Sequence, residues 1–210
     1  MNTHLLSTSI KEGCSELSLK VSEFQIEQMR RYLELLDRWN GAYNLTAIKT
    51  ADRMVSLHLL DSLSIAHYLN GQTFIDVGTG AGLPGIPLAI LFPDKNFTLL
   101  DSNGKKVRFL FQVRKELQLV NVSELQQRVE DYQPERPYHG VISRAFTSIG
   151  NMLEGCRHLL ASDGHFYAMK GKLPNEELSH LPKNYIVHAV HQLFVPGIDA
   201  ERHLIDLAFS

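Results

Sequence analysis

The sequence is poor in cysteine and shows no metal-binding spacing. Only Cys14 and Cys156 are present, and they lie far apart in unlike surroundings. This arrangement argues against a disulfide framework. The ten histidines are scattered without an H-E-x-x-H motif or paired spacing, which gives a zinc site little support. We therefore expect neither a disulfide nor a bound metal.

A long apolar run is also missing. Residues 1–10 do not combine a basic start with an apolar stretch, and later apolar stretches are interrupted by charged residues, proline or glycine. These features predict a cytoplasmic protein without a membrane partner. With 210 residues and a hydrophobic content of 44%, the chain is long enough to bury the core of one globular unit.

The chain lacks the overall basic excess that is usual in nucleic-acid-binding proteins, because its formal net charge is −2. Basic residues are nevertheless concentrated between Lys105 and Lys115, where no acidic residue occurs. On a helix, Lys105, Arg108 and Lys115 would share one face, opposite apolar residues. The pattern alone favours a solvated helix face over a phosphate-binding surface.

Two helices are predicted in the first third of the chain. Between residues 22 and 39, apolar residues recur at steps of three and four, and Ser22 with Gln25 forms a possible capping box. Asn40-Gly41 is expected to end this helix, and a second apolar pattern predicts a helix over residues 52–69. Residues 1–70 are thus predicted to be a helical extension that packs on the following sheet.

From residue 71 onward, short apolar runs alternate with helical patterns, which is typical of βαβ units and a mostly parallel sheet. This predicts a Rossmann-like domain over residues 71–210, within one globular unit. Its predicted strands are residues 73–77, 97–100, 123–127, 140–143, 165–169, 185–190 and 203–209. Helices are predicted over residues 83–91, 104–117 and 149–160, the last ended by Asp163-Gly164. The polar segment 171–183, with two prolines, is predicted to be a loop or a poorly ordered helix.

A glycine-rich turn follows the first predicted strand. Residues 78–82 read GTGAG, and Leu83-Pro84 is expected to open a helix, since proline is tolerated at the first helical position. Glycines at 78, 80 and 82 permit positive φ and the close approach of a ligand to the backbone. The order of strand, glycine turn and helix predicts a nucleotide-binding loop, although such turns also occur without a ligand.

Two aspartates distinguish the expected cofactor. The loop departs from G-x-G-x-x-G because the third glycine comes one place early and Leu83 takes its position. Asp76, two residues before Gly78, would repel a pyrophosphate but attract the ammonium group of a methionine-like moiety. Asp101, at the end of the second predicted strand, has the spacing expected of a carboxylate that binds ribose hydroxyls. The pattern, with Gly80 in the loop, favours S-adenosylmethionine over NAD.

Three segments carry a resemblance to a known family: residues 44–46 (NLT), 58–63 (HLLDSL) and 76–87 (DVGTGAGLPGIP). With the later segments 101–102, 105–106, 129–130, 143–145 and 170–171, the chain closely resembles the RsmG family, also called GidB, from about residue 33 to residue 172. Beyond that point the resemblance is weaker. It implies an α/β, Rossmann-like, S-adenosylmethionine-dependent methyltransferase fold with a mostly parallel seven-stranded sheet and an N-terminal helical extension.

The resemblance also implies a function. A member of this family methylates N7 of one guanine in bacterial small-subunit (16S) ribosomal RNA. On this basis Gly78 and Leu83 would line the cofactor site, Val129 and Glu130 would hold the adenosine portion, and Arg144 would close the site. The implied partner is ribosomal RNA or the 30S particle, and we expect a monomer without a stable protein partner.

The residues after the fourth predicted strand are consistent with N7 as the acceptor. N7 carries a lone pair and no proton, so the reaction requires alignment and no general base. Residues 143–146 read SRAF, where amino-group methylation in related folds uses N/D-P-P-Y/F, and Cys156 lies in a predicted helix as a core residue, not as a nucleophile. Arg144 and Lys170 are the catalytic candidates, because they can orient the purine. A structural ion pair is an equally weighted interpretation of Arg144.

The remaining candidate residues concern RNA binding, and three functions other than rRNA methylation are also considered. His58 is expected to hydrogen-bond or pack the N-terminal helices, and Tyr32 to lie in the core, although Tyr32 or Phe146 can also stack on a flipped base. Three other functions stay open at this point: a small-molecule methyltransferase, a nicotinamide-dependent enzyme and a non-catalytic S-adenosylmethionine sensor. The predicted RNA-binding residues form a basic rim and are Lys105, Lys106, Arg108, Arg128 and Lys172.

Overall fold

The computed structural model describes residues 3–144, 146 and 148–210. Met1 and Ala145, which belong to the predicted extension and to the family-like segment 143–145, lie outside the described residues. The chain begins with helices α1 (Thr3–Glu16) and α2 (Glu23–Tyr43). The predicted capping box of α2 is confirmed, because Gln25 N donates to Ser22 Oγ and Ser22 N donates to Gln25 Oε1 at 3.2 and 2.9 Å.

Sequence-based prediction missed α1. Leu6, Ile10 and Cys14 are buried and recur at four-residue steps, so the helical pattern is present in the sequence. The segment is short and polar elsewhere, which hides this narrow apolar face. Helix α2 extends three residues beyond Asn40, and its end is marked by Asn44 in the left-handed conformation with φ 51°.

The single helix predicted over residues 52–69 is wrong in detail. The structure has helix α3 (Ala51–Met54), a π-helical turn (Val55–Leu60), helix α4 (Asp61–Leu63) and a 3₁₀ turn (Ala66–Tyr68). A π turn widens the helix by one residue per turn and thereby changes which side chains face inward; such turns are frequent at functional sites. Here His58 and Asp61 become buried at and directly after the wide turn.

Seven strands form one sheet in the order β3-β2-β1-β4-β5-β7-β6. Strands β1 to β5 run parallel, and β7 pairs antiparallel with both β5 and β6. The predicted seven-stranded, mostly parallel sheet is confirmed. The strands are β1 (Thr73–Val77), β2 (Asn96–Asp101), β3 (Val122–Gln126), β4 (Tyr138–Ser143), β5 (Leu160–Lys170), β6 (Tyr185–Gln192) and β7 (His203–Phe209).

Among the described residues, four helices accompany the strands: α5 (Gly85–Leu91), α6 (Gly104–Leu117), α7 (Ile149–Cys156) and α8 (Asn175–Ser179). The predicted helix over residues 83–91 is confirmed, but it begins at Gly85, and Pro84 is its N-cap and not its first helical residue. Helix α7 ends at Cys156, and a 3₁₀ turn leads into β5, which continues through Asp163-Gly164. A helix end was predicted at that dipeptide because glycine usually marks a turn. The predicted loop 171–183 contains the short helix α8.

The apolar core has two parts, one on each face of the sheet. One part joins α1, α2 and the π-helical turn to Phe74, Phe97 and Leu99 of the sheet and to α5 and α6. The other joins Ile75 and Val141 to α7, and it includes the buried Cys156, whose predicted core position is confirmed. The N-terminal helices therefore share a core with one sheet face. Within the described part of the chain, no helix is long and apolar enough to cross a membrane.

Candidate functional site

A cavity of about 330 Å³ lies over the carboxyl ends of β1, β2 and β3. In open α/β sheets this edge is where ligands bind. The structure brings together six of the predicted site residues here: Gly78, Asp101, Lys106, Arg128, Val129 and Glu130. The remaining lining residues are Val77, Leu100, Ser102, Gln127 and Phe146.

The glycine turn at this edge has the backbone that was predicted. Gly78, Gly80 and Gly82 have φ values of 69°, 62° and 90°, which residues with a side chain rarely adopt. A Cβ at Gly82 would also lie 2.5 Å from Ile86 Cγ1, so this position requires glycine for packing as well. The turn is joined to β2, because the N–H of Gly78 donates to Leu100 O at 2.9 Å. The backbone of the turn is therefore held at the wall of the cavity.

Asp101 connects the glycine turn to the start of α6. Its Oδ2 accepts from Gly80 N at 2.9 Å and from Lys106 Nζ at 3.3 Å, and its Oδ1 accepts from Asn103 N at 2.9 Å. Asn103 in turn caps α6 by accepting from Lys105 N at 2.9 Å. These contacts hold the carboxylate of Asp101 at the cavity wall, where the second-strand acid was predicted to lie.

Asp76 is fully buried beneath the glycine turn. Its Oδ2 accepts from Thr79 Oγ1 at 2.6 Å and from Gly85 N at 2.9 Å, whereas Oδ1 has no hydrogen-bond partner among the residues the structure describes. Burial raises the pKa of this carboxyl to about 6, although the bonds from Thr79 and Gly85 and the positive charge of Arg144 lower it. A buried carboxylate oxygen without a partner is unusual, and this one lies beneath the glycine turn, outside the lining of the cavity.

This environment makes the stability contribution of Asp76 depend on pH. Because its folded pKa of about 6 lies above the ordinary 3.8, the folded state binds the proton more tightly. The contribution is complete below the unfolded pKa and is lost as the pH rises through about 6. We expect the free energy of unfolding, compared with Asp76→Asn, to fall by up to about 3 kcal/mol from about pH 4 to about pH 7.

Urea unfolding of both proteins across this range measures the effect. Burial lowers the pKa of His58 to about 4 and gives the opposite slope, but that effect is common to both proteins and cancels in their difference. A difference that stays constant with pH would contradict the prediction.

The segment after β3 forms the opposite wall of this cavity. A 3₁₀ turn (Val129–Asp131) follows the strand, with Val129 half-buried against the second core part and Glu130 exposed. An apolar side chain beside a carboxylate suits a nucleoside, whose base is flat and whose hydroxyls donate hydrogen bonds. Sequence-based prediction placed no element here, since three residues are too few to show a periodicity.

Three predicted cofactor-binding residues, Asp76, Gly80 and Leu83, are not part of the lining of this cavity. Leu83 is buried in the apolar core with 5% of its surface exposed. Gly80 contributes through its N–H, which holds Asp101. Their predicted contacts with a cofactor stay predictions.

A second cavity, of about 430 Å³, lies over the ends of β4 and β5 and the beginning of β7. Arg144 and Lys170, the two predicted catalytic residues, both line it. Arg144 Nη1 donates to Asp61 Oδ2 at 3.0 Å and to Leu57 O at 3.3 Å, so the ion pair considered for Arg144 is present. Arg144 does not line the first cavity. The remaining lining residues are Ile48, Leu57, His58, Asp61, Met169, Gly171, Leu193, Arg202 and His203.

Lys170 and His58 are both held by neighbours in the second cavity. Lys170 Nζ pairs with both oxygens of Glu177 on α8 at 3.2 and 3.3 Å. His58 Nε2 lies 2.7 Å from Thr46 Oγ1, which confirms its predicted hydrogen-bonding role. Burial, followed by the charge of Arg144, lowers the pKa of His58 to about 4, so the ring is neutral near pH 7.

The residues of the predicted basic rim differ in their exposure and in their pairing. Lys105 and Arg108 are exposed on α6, and Lys172 is exposed after β5. Lys106 is paired with Asp101, and Arg128 is exposed at the mouth of the first cavity. The predicted faces of α6 are confirmed for Lys105, Arg108 and Lys115, which are exposed, and for Leu110 and Leu117, which are buried, whereas Val107, predicted on the apolar face, is half-buried.

Sequence-based reasoning missed Arg202. This residue precedes β7, and β7 is antiparallel to β5, with Lys170 paired to His203. The beginning of β7 therefore lies at the same edge as the carboxyl ends of the parallel strands. A search for residues that follow predicted strands does not find Arg202. The sequence signal for this residue was an arginine directly before the last predicted strand.

The structure also groups three potential metal ligands that sequence spacing did not reveal. His165, His188 and Asp206 stand on β5, β6 and β7, and their ligand atoms lie within 4.8 Å of one another. His165 Nδ1 and Asp206 Oδ1 are 2.6 Å apart, which is a hydrogen-bond distance. This hydrogen bond explains why His165 and Asp206 lie close together. That the protein binds no metal remains a prediction.

Comparison with known proteins identifies the family. The model of the GidB family, rRNA small subunit methyltransferase G, matches residues 25–205. A relative named ribosomal RNA small subunit methyltransferase G from Saccharophagus degradans is 58% identical, covering 96% of this chain and 90% of its own length. A protein of the same name from Idiomarina loihiensis is 51% identical over 95% of this chain and 97% of its own length.

A solved structure shows the same fold at low sequence identity. TYW2 from M. jannaschii, in complex with AdoMet, superposes with a TM-score of 0.53 at 15% identity, covering 71% of this chain and 74% of that chain. Such a distant likeness speaks for the fold alone, and it agrees with the seven-stranded sheet described above. The chain therefore has the Rossmann-like fold of S-adenosylmethionine-dependent methyltransferases and belongs to the GidB family of ribosomal RNA small-subunit methyltransferases.

Proposed function

We propose that this protein transfers the methyl group of S-adenosylmethionine to N7 of a guanine in bacterial 16S ribosomal RNA. The observation that carries the proposal is the cavity over β1 to β3, where a glycine turn and Asp101 meet in a chain of this family. The family supplies the substrate class. The residues of the cavity supply the fit to the cofactor.

The first cavity suits S-adenosylmethionine at two points. Asp101 offers a fixed carboxylate for ribose hydroxyls, and Val129 with Glu130 offers a wall for the adenosine. Asp76 lies outside this lining, buried beneath the glycine turn, and its carboxylate would attract an ammonium group through electrostatics. We assign Asp76, Gly78, Gly80, Leu83, Asp101, Val129 and Glu130 to cofactor binding.

S-adenosylmethionine held by Asp101, Val129 and Glu130 would supply an electrophilic methyl group, and its transfer to the N7 lone pair would leave a neutral thioether and a cationic purine. No proton leaves N7, so the chain needs no general base. The neutral, hydrogen-bonded His58 is consistent with this. The task of Arg144 and Lys170 is then orientation of the purine, for which an arginine can donate to O6.

We assign RNA binding to the five predicted basic residues, of which Lys106 and Arg128 line the first cavity. Four of the five are exposed, namely Lys105, Arg108, Arg128 and Lys172. Contacts to phosphates from such residues do not depend on base sequence, and they weaken as salt displaces the protein from RNA. We place the reaction in the cytoplasm, on ribosomal RNA or the 30S particle, with a monomeric enzyme.

The experiment for the proposed function uses labelled S-adenosylmethionine and small-subunit particles that lack the modification. After incubation, the RNA is digested to nucleosides, and label is expected in 7-methylguanosine. Naked 16S ribosomal RNA in a parallel reaction shows which form is the substrate. Cofactor binding without any labelled nucleoside would overturn the proposal in favour of a sensor or a small-molecule enzyme.

The basic surface gives a prediction about salt. We expect the double variant Lys105→Ala, Arg108→Ala to reduce the slope of log affinity against log salt concentration by roughly 0.7–0.9 for each phosphate that it no longer neutralises. Filter binding of particles at several salt concentrations measures the slope. The matched control, Lys20→Ala with Arg31→Ala, removes one exposed charge from the segment before α2 and one from α2 itself. Equal slopes for both double variants would remove α6 from the RNA-binding surface.

A further inference from the structure

The second cavity contains more charged groups than the proposed function has used. Arg144, Lys170 and Arg202 bring three cationic side chains to its lining, and Asp61 brings one carboxylate. Lys170 is paired with Glu177 outside the lining. The group formed by Asp61, Arg144 and Arg202 therefore keeps one net positive charge at the cavity.

Asp61 determines how the two arginines are placed. Its side chain is 5% exposed, and each oxygen accepts from a different guanidinium: Oδ2 from Arg144 Nη1 at 3.0 Å, and Oδ1 from Arg202 Nε at 2.8 Å. The residue stands directly after the π-helical turn, so the widened helix aims it at the sheet edge. A buried carboxylate that binds two guanidinium groups holds both in one orientation.

Both arginines retain donors for a ligand. An arginine has five N–H groups. Among the described residues, Arg144 donates through Nη1 to Asp61 and Leu57, and Arg202 donates through Nε and Nη1 to Asp61 and Glu201. The Nη2 groups of both side chains are therefore not used by those contacts. They provide donors of the kind that oxygen acceptors and phosphates require.

The location of this cavity fits the methyl acceptor. It adjoins the cofactor cavity along β4 and β1, where Ser143 Oγ donates to Val77 O at 2.9 Å, and Val77 lines the cofactor cavity. Arg144 follows Ser143 directly and is close enough to lower the pKa of Asp76 beneath the glycine turn. The volume of about 430 Å³ falls in the range of small-ligand pockets, which accommodate a nucleotide.

We infer that the second cavity binds the acceptor guanine nucleotide turned out of its stack, with Arg144 donating to O6 of the base, Arg202 binding a phosphate, and Asp61 positioning both arginines. The inference rests on the proposed function and adds its acceptor site. Enzymes that act on a base commonly flip it into such a pocket. Arg202 thereby becomes a substrate-binding residue, and Asp61 a positioning residue.

The test compares Arg202→Ala and Arg202→Lys in the full chain, with unmodified small-subunit particles as the substrate. We expect Arg202→Ala to raise KM for particles at least about tenfold, as the loss of one charge-assisted contact implies. The Kd for S-adenosylmethionine should stay within about twofold, since Arg202 does not line the first cavity. Lysine should restore part of the affinity, because a phosphate accepts from a point charge. Arg136→Ala, at an exposed position, is the matched control.

Asp61→Asn is the second variant. An amide keeps one acceptor oxygen and loses the charge, so it should lower the single-turnover rate at saturating particles as well as raise KM. If this variant fails to fold, the Arg202 pair alone decides the question. The inference is overturned if Arg202→Ala leaves the KM for particles unchanged, or if it weakens cofactor binding and particle binding equally. If the wild-type protein forms no 7-methylguanosine, the proposed function fails instead.

Discussion

Asp101→Ala is expected to weaken binding of S-adenosylmethionine by roughly 1.5 to 3 kcal/mol for each charge-assisted hydrogen bond that the carboxylate makes to the ribose. With two such bonds, the affinity would fall by about two to four orders of magnitude. The structure supports this position because three donors from the glycine turn, Asn103 and Lys106 hold the carboxylate at the cavity wall. Isothermal titration of the two proteins with S-adenosylmethionine measures the difference.

The internal contacts of Asp101 require a control. Because Gly80 N loses its acceptor in the alanine variant, part of the effect can come from a loosened turn. Asp101→Asn separates the two causes, since an amide oxygen can still accept from one of these N–H groups but binds hydroxyls less strongly than a carboxylate. Asp94→Ala, at an exposed loop position, is the matched aspartate variant. An unchanged affinity for Asp101→Ala would remove this residue from the site.

The cofactor cavity was largely predictable because its signals are local in sequence. A strand, three glycines and a helix follow one another within residues 73–91, and positive φ at Gly78, Gly80 and Gly82 is what the glycines indicated. Asp101, the last residue of β2, was predicted from its spacing after the glycine turn, and it lies near that turn because the parallel strands β1 and β2 end at the same edge. The short separation of these residues in sequence and the general rule about the ends of parallel strands were sufficient to predict this cavity.

The second cavity was only half predictable because it is assembled from distant segments. Arg144 follows β4 and Lys170 is the last residue of β5, so both lie at the carboxyl ends of parallel strands, where ligand-binding residues are expected. Asp61 belongs to a helix whose register changes at a π turn, and a regular 3.6-residue period cannot show which side chains such a turn buries. Arg202 precedes an antiparallel strand, so its position depends on the direction of β7, which a pattern of alternating apolar residues does not reveal.

The two cavities also differ in the balance of their carboxylates and cationic side chains, and this difference indicates different roles. The first has two carboxylates and two cationic side chains in its lining, and the carboxylate of Asp76, with one oxygen that has no partner among the described residues, lies buried beneath its glycine turn. In the second, the buried carboxylate of Asp61 has both oxygens occupied, and the surplus charge is positive. A sulfonium cofactor with an ammonium group and a nucleotide with a phosphate have complementary requirements. The distribution of charge therefore separates a cofactor side from an acceptor side.

Arg144 stands between these two sides, and its replacement is expected to give the largest loss of activity. Arg144→Ala should lower the single-turnover rate of methyl transfer by about 10²- to 10³-fold, the cost of removing one positioned donor from a reacting group. Folding should be much less affected, because Asp61 keeps its bond from Arg202 at 2.8 Å and is not left as an unpaired buried charge. Arg144→Lys should recover little, since lysine lacks the planar fork that fixes the base.

Three measurements on the same variant decide among the interpretations of Arg144. If it orients the acceptor, the rate falls while the Kd for S-adenosylmethionine and the melting temperature change little. If it closes the cofactor site, as the family resemblance implied, the Kd rises with the loss of rate, and Asp76 loses the nearby positive charge that lowers its pKa. If it is only a structural ion pair with Asp61, the melting temperature falls and the rate per folded molecule is unchanged. Because Arg144 lines the second cavity and not the first, we expect the first of these results.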